Sequence, residues 1–141
     1  MRKPIKHSCA FLVLAGLLSF APSSIPQTGD VILPQDNGPE AIDVSKYPPE
    51  IQKNYGLFRT KCSKCHTIAR PVNTTMARAE WERYVKRMMH KPNSGISGGD
   101  GKKIFEFVVH DQQARKDPNP GAFFPALSLE EIEKLRQTQR R

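Results

Sequence analysis

Between Lys61 and Pro71 the chain reads KCSKCHTIARP, which places two cysteines three residues apart and a histidine directly after the second. Few short patterns constrain a chain more, because this one commits three strong ligand or nucleophile groups to little more than one helical turn. Three chemistries use such a group. A structural zinc site needs four ligands, normally from a second Cys or His pair. Beyond Cys62, Cys65 and His66, only His90 and His110 remain downstream, and they lack paired spacing. A thioredoxin-like redox pair opens a helix after a strand. Here Ile51, Tyr55, Phe58, Cys62 and Cys65 fall at steps of four, three, four and three, so the cysteines close a helical stripe instead. The third chemistry is covalent haem attachment, for which C-x-x-C-H is the known spacing. Two thiols one turn apart can each form a thioether with a porphyrin vinyl group, and His66 from the same turn can reach the iron. This third chemistry is the expected one, with Cys62 and Cys65 on the buried helical face.

The rest of the chain favours a small, stapled, exported domain. Its 141 residues fit one domain with tails. Only 38% of them are hydrophobic, a thin supply for a self-sufficient core, and a covalent cofactor would add the missing buried surface. The N-terminus carries basic residues (Arg2, Lys3, Lys6) before an apolar run from Ser8 to Ala21. That run is short for a bilayer span, and Ala21-Pro22-Ser23 supplies small residues for cleavage, so residues 1–23 read as a signal peptide rather than an uncleaved anchor. Export to a periplasmic, oxidising compartment follows, with Cys9 discarded and Cys62 and Cys65 retained. Cleavage lowers the net charge from +8 to +5, because it removes three basic residues and no acid. A mildly basic surface suits an acidic protein face, and export makes nucleic acid an unsuitable partner.

The predicted organisation is all-α, with residues 24–46 as an extended arm or linker, 47–112 as the folded domain and 113–141 as a tail with a short helix. The first helix starts after Pro48-Pro49. IARPVNTT reads as a loop whose Thr74 or Thr75 caps a second helix over Met76–Met89, with Trp81, Val85 and Met88 on one face. Ser97 with Asp100 opens a third, striped by Ile104, Phe107 and Val108, and Ser128-x-x-Glu131 opens the terminal one.

The stretch from Tyr47 to Gln112, with CSKCH, WERYVKRM and ISGGDGKKIFEFV, resembles small monohaem cytochromes c of the class I kind. The W-x-x-x-V-x-x-M pattern is similar to that of haem subunits paired with oxidoreductases such as sulfite dehydrogenases. The resemblance implies a small helical domain around one covalently bound haem c, with His66 as proximal iron ligand and a methionine as distal ligand. Of Met76, Met88 and Met89, Met88 is preferred because it shares the face of Trp81 and matches the pattern's last position, with Met89 as the alternative. A distal His90 or His110 would make a bis-His site. His/Met ligation fills both axial positions and describes a one-electron carrier rather than an enzyme. The expected partners are redox-protein donors and acceptors with an acidic docking face, either of which can sit in a membrane complex. Two alternatives stay open: a haem-based ligand-binding or peroxidase-like protein with an open distal site, and a non-haem Cys/His structural module.

Individual residues carry further expectations. The Pro71 carbonyl is placed to accept from the second ring nitrogen of His66, or Pro71 is a plain loop proline. Arg70 either pairs with a haem propionate or is solvated. Trp81 packs on the porphyrin edge or fills the core. Lys61 and Lys64 flank the haem-edge region, and Phe123-Phe124 either cover the domain or meet a partner.

Overall fold

A computed structural model describes residues 31–140. The expected signal peptide and the first residues of the arm lie outside them. Among the described residues, no helix is long and apolar enough to cross a membrane.

Among the described residues five α-helices carry the fold: α1 (Pro49–Cys62), α2 (Ala69–Asn73), α3 (Arg78–Met89), α4 (Gly98–Asp111) and α5 (Leu129–Gln139). The protein is therefore mostly helical, as the apolar periodicity predicts. α1 opens on a proline, whose missing N–H costs nothing in the first turn, and carries Arg59 and Lys61 in its last turn, where the helix dipole favours cations. α4 opens where Ser97 and Asp100 predict it, with the Ser97 hydroxyl accepting from the Asp100 N–H at 3.1 Å and the carboxylate accepting from the Ser97 N–H at 3.0 Å. Ser128 and Glu131 repeat that reciprocal cap at the start of α5.

α1 packs on α4 through aromatic rings. The ring centroids of Phe58 and Phe107 lie 4.9 Å apart, and Tyr55 sits 5.1 Å from Phe107. Trp81 and Val85 of α3 close the same core, and Trp81 is fully buried.

The segment between α1 and α3 departs from the predicted loop. Ala69–Asn73 forms the one-turn helix α2, and all five of its residues are buried. Pro71 hides the helical tendency from a sequence reading, yet in a first turn proline is tolerated. Thr74 and Thr75 do not cap α3. They form strand β1, paired in parallel with β2 (Phe124–Pro125) from the tail, Thr74 opposite Phe124 and Thr75 opposite Pro125. α3 starts two residues later than predicted, at Arg78. The Met76 N–H is held by the Gln112 side chain at 3.1 Å, and the Glu80 carboxylate accepts from the Ala77 N–H at 2.8 Å.

The arm and the tail both belong to the packed body. Val31 and Leu33 are buried, and Pro34–Asn37 forms a 3-10 turn against α2. The Asn73 amide donates to the carbonyls of Gln35 (3.1 Å) and Pro39 (3.2 Å). A side chain at Gly38 would collide with that amide, its Cβ arriving 2.3 Å from the nitrogen, so the close approach requires glycine. α5 reaches the arm from the other side: the Gln139 amide accepts from the Ile32 N–H and donates to the Ile32 carbonyl.

Candidate functional site

The site is built where α1 ends. Cys62 is the last residue of the helix and is half-buried. Ser63 continues in right-handed conformation, and the chain then turns through Lys64 and Cys65. The sequence reading placed both cysteines on the buried helical face. Only Cys62 is there. Cys65 is exposed, because the helix stops before reaching it and the turn swings it outward. Both thiols are free. Burial, reinforced by the neighbouring Cys65, pushes the Cys62 thiol up to about 12. A redox-exchange nucleophile needs the opposite shift.

His66 follows in the same turn and is half-buried. Its Nδ1 lies 2.8 Å from the Thr67 carbonyl oxygen. A carbonyl only accepts, so Nδ1 carries the proton and Nε2 presents its lone pair. Burial pulls the imidazole pKa down, which keeps the ring neutral and fit to ligate. The expected Pro71 carbonyl does not serve His66, since Thr67 is nearer in the chain and the Pro71 oxygen accepts from the Lys116 ammonium at 3.0 Å. His66 lines an open cleft of about 530 Å³, with Gly56, Arg59, Thr60 and Ser63 of α1, Thr67 and Ile68 after it, and Glu40 from the arm.

The methionines differ in their surroundings. Met89 joins the apolar cluster and presses its thioether on Gly101 of α4, where a Cβ would come within 2.3 Å of the sulfur. Met88 is half-buried beside it and lies outside that cluster. Met76 packs on the core and lines a small cleft of about 110 Å³ with Trp81 and Gln112. His90 is exposed, its Nδ1 against the Lys86 carbonyl at 2.6 Å, and His110 packs edge-on to the Tyr47 ring at 4.6 Å. Among the described residues, no three His, Cys, Asp or Glu side chains gather as a metal-holding group.

The remaining candidates have protein partners. Arg70 is buried and ion-paired with Asp36 of the arm, its Nε donating at 2.8 Å, while a second nitrogen donates to the Val31 carbonyl at 2.8 Å. It is therefore not a solvated arginine. Trp81 donates from Nε1 to the Gln112 side chain at 3.1 Å and lies 4.7 Å under the Lys116 ammonium. Lys61 pairs with Asp100 at 3.0 Å and donates to the Gly95 carbonyl at 2.6 Å, whereas Lys64 is exposed. The Lys61 ammonium is the first cause holding the Asp100 carboxyl down to about 2, ahead of the Ser97 N–H. Phe123 sits 4.8 Å under the Arg115 guanidinium, and Phe124 is exposed in β2.

Sequence reasoning missed Thr67, Glu40, Asp36 and Lys116. Asp36 and Glu40 lay in what read as a linker, and Lys116 in a tail, where charged residues are ordinarily solvated. The chain matches no family model, no curated protein and no solved structure.

Proposed function

We propose that this protein is an exported monohaem c-type cytochrome that carries single electrons between redox proteins and is not itself an enzyme. One observation carries the reading. Two free thiols lead directly into a neutral imidazole whose Nδ1 is already engaged, leaving Nε2 as its free lone pair, and the residue lines an open cleft. The donor set fits an iron porphyrin attached through two thioethers. Bound there, the haem supplies a ferric/ferrous couple.

The chain's own residues do the rest. Cys62 and Cys65 hold the group covalently, and His66 orients through Thr67 so that its ring presents one nitrogen. Met88 is proposed as the distal ligand and Met89 as the alternative. The engagement of the Met89 thioether with Gly101 supports Met88 as the freer sulfur. If His66 and a methionine both held the iron, no position would remain for peroxide or a gas, and the protein would be a carrier rather than a peroxidase-like or ligand-binding protein. A non-haem Cys/His module is less well supported, since among the described residues no three His, Cys, Asp or Glu side chains gather as a closed site needs. In the periplasm the net positive mature chain meets donor and acceptor proteins through an acidic face on their side, a membrane complex included. Lys64 remains the exposed cation of the flanking pair, since Asp100 offsets Lys61.

Production in a host competent in cytochrome maturation tests this. The mature chain is expected to gain the mass of one covalent haem and to give a haemochrome spectrum of the two-thioether type. Its ferrous form is expected not to bind carbon monoxide. Free or mutually bonded sulfurs would sink the reading, and avid carbon monoxide binding would replace the carrier with the open-site alternative. Met88→Ala is expected to abolish the weak near-red iron–sulfur band that Met89→Ala keeps.

A further inference from the structure

His66 owes its orientation to a residue far away in the chain. The Thr67 carbonyl that receives its Nδ1–H belongs to a residue whose side chain has both hydroxyl functions in use. Thr67 Oγ1 donates to Glu40 Oε1 at 2.6 Å and accepts from the Ala69 N–H at 3.1 Å. The first bond is short because its acceptor is charged, and such bonds are roughly twice as strong as neutral ones. Together the two bonds pin one Thr67 rotamer and, with it, the start of α2. Glu40 is in turn no loose surface group. Its neighbours Gly38 and Pro39 are pressed on Asn73 by a close approach that admits no Cβ and by the Asn73 amide bond to the Pro39 carbonyl. Glu40, His66 and Thr67 also line one cleft.

We infer that Glu40 is a positioning residue for His66: through the Thr67 hydroxyl the arm sets the carbonyl that holds the imidazole, and so sets how strongly Nε2 donates. This rests on His66 being an axial ligand. A carbonyl fixed to receive Nδ1–H strengthens donation from the opposite nitrogen, and groups of this kind typically change metal affinity by about 10–100-fold when removed. Stronger donation stabilises the ferric state, so loosening the relay shifts the couple toward the ferrous one.

Potentiometry of the mature haem protein tests the relay. Glu40→Gln and Thr67→Val are each expected to favour the ferrous form, by up to about tenfold in the oxidation equilibrium (~59 mV for one electron). Thr67→Ser is expected to restore the wild-type potential. The double variant is expected to move no further than Thr67→Val alone, because both changes break one chain of contacts. Additive shifts would mean that Glu40 acts only by its charge, and unchanged potentials that it does not act at all; either overturns the inference. A second measurement is independent of the haem. Nitrogen-15 shifts of the His66 ring in the haem-free full chain are expected to report the Nδ1–H tautomer, and Glu40→Gln, an exposed change, to return it toward a tautomer mixture. The same tautomer in both chains overturns the inference. If the mature chain takes up no haem, the carrier proposal fails while this tautomer measurement still decides the relay.

Discussion

Lys116 shows what a single residue costs and contributes when the chain buries it. Its ammonium donates to the carbonyls of Pro71 (3.0 Å) and Thr74 (2.7 Å), lies 3.4 Å from Asp111 and sits over Trp81, with only 1% of the side chain exposed. Burial is the largest influence and lowers its pKa from 10.5 to about 8, although Asp111 pulls the other way. A lysine lowered on folding gives up its proton first in the folded state. The unfolded chain then binds more protons between pH 8 and 10.5, so this group makes stability rise through that window. The slope is at most about 1.4 kcal/mol per pH unit. The neutral amine still has N–H donors for both carbonyls. Lys116→Met is expected to be less stable at every pH and to lack the rise, so the wild-type advantage in urea unfolding grows from pH 8 to pH 10. An advantage that shrinks over that range would contradict the assignment. A lysine beside Arg115 at the start of a tail gives no sign of this role, because burial is decided by whichever surface the tail meets. Cys62, Cys65 and His66, by contrast, carry the proposed haem attachment in their spacing alone.

Helices differ in how much of them is locally determined. α4 is written into its own residues: the Ser97–Asp100 cap, then Ile104, Phe107 and Val108 on one face. Ser97→Ala is expected to cost about 1 kcal/mol in equilibrium unfolding, the ordinary loss for an N-cap, and no measurable change would discount the cap. α2 is the opposite case. It is only five residues long and contains proline, too short to hold itself together, and it exists because the arm clamps it. The Asp36–Arg70 pair is that clamp's charged part, with each side chain 9% exposed. Asp36→Ala leaves a buried guanidinium without its carboxylate, and the expected loss is about 3 kcal/mol or more by thermal or urea unfolding. A loss near zero would mean that solvent reaches the site freely. α3 lies between the two. Its Trp81 and Val85 stripe was readable, but Met89 rather than the expected Met88 joins the apolar cluster, and its start was not readable, because a glutamine from the end of α4 holds the preceding backbone.

At the scale of the molecule, the segments before Tyr47 and after Gln112 close onto the same central piece. The Gln112 side chain alone joins four partners: it accepts from Trp81 and the Met76 N–H, and donates to Thr75 and Asp117. Arg115 donates a bidentate pair of hydrogen bonds to the Asp111 carboxylate and another to the Val72 carbonyl at 2.7 Å. Removing residues 113–141 deletes both cations from around Asp111 and strips a partner from the carbonyls of three buried residues, Pro71, Val72 and Thr74, each bond worth about 1–3 kcal/mol when left unmade. The truncated chain is expected to lose more than about 3 kcal/mol or to unfold, read by circular dichroism melting. Wild-type stability in the truncated chain would show the tail to be an appendage.

The sequence by itself determined the helical class, the caps of α4 and α5, the apolar stripes and the spacing of Cys62, Cys65 and His66. Each of these depends on residues within one or two turns of one another. Only the tertiary structure decided which cysteine is buried, that Thr67 rather than Pro71 receives the His66 ring, that α2 and the strand pair exist, and that Asp36, Glu40 and Lys116 each bond to residues distant in the chain. Apart from the His66–Thr67 contact between neighbours, those outcomes turn on contacts between residues 27 to 50 positions apart. Long-range partners of this kind are selected by how whole faces pack, and no local pattern of apolar and polar residues encodes them.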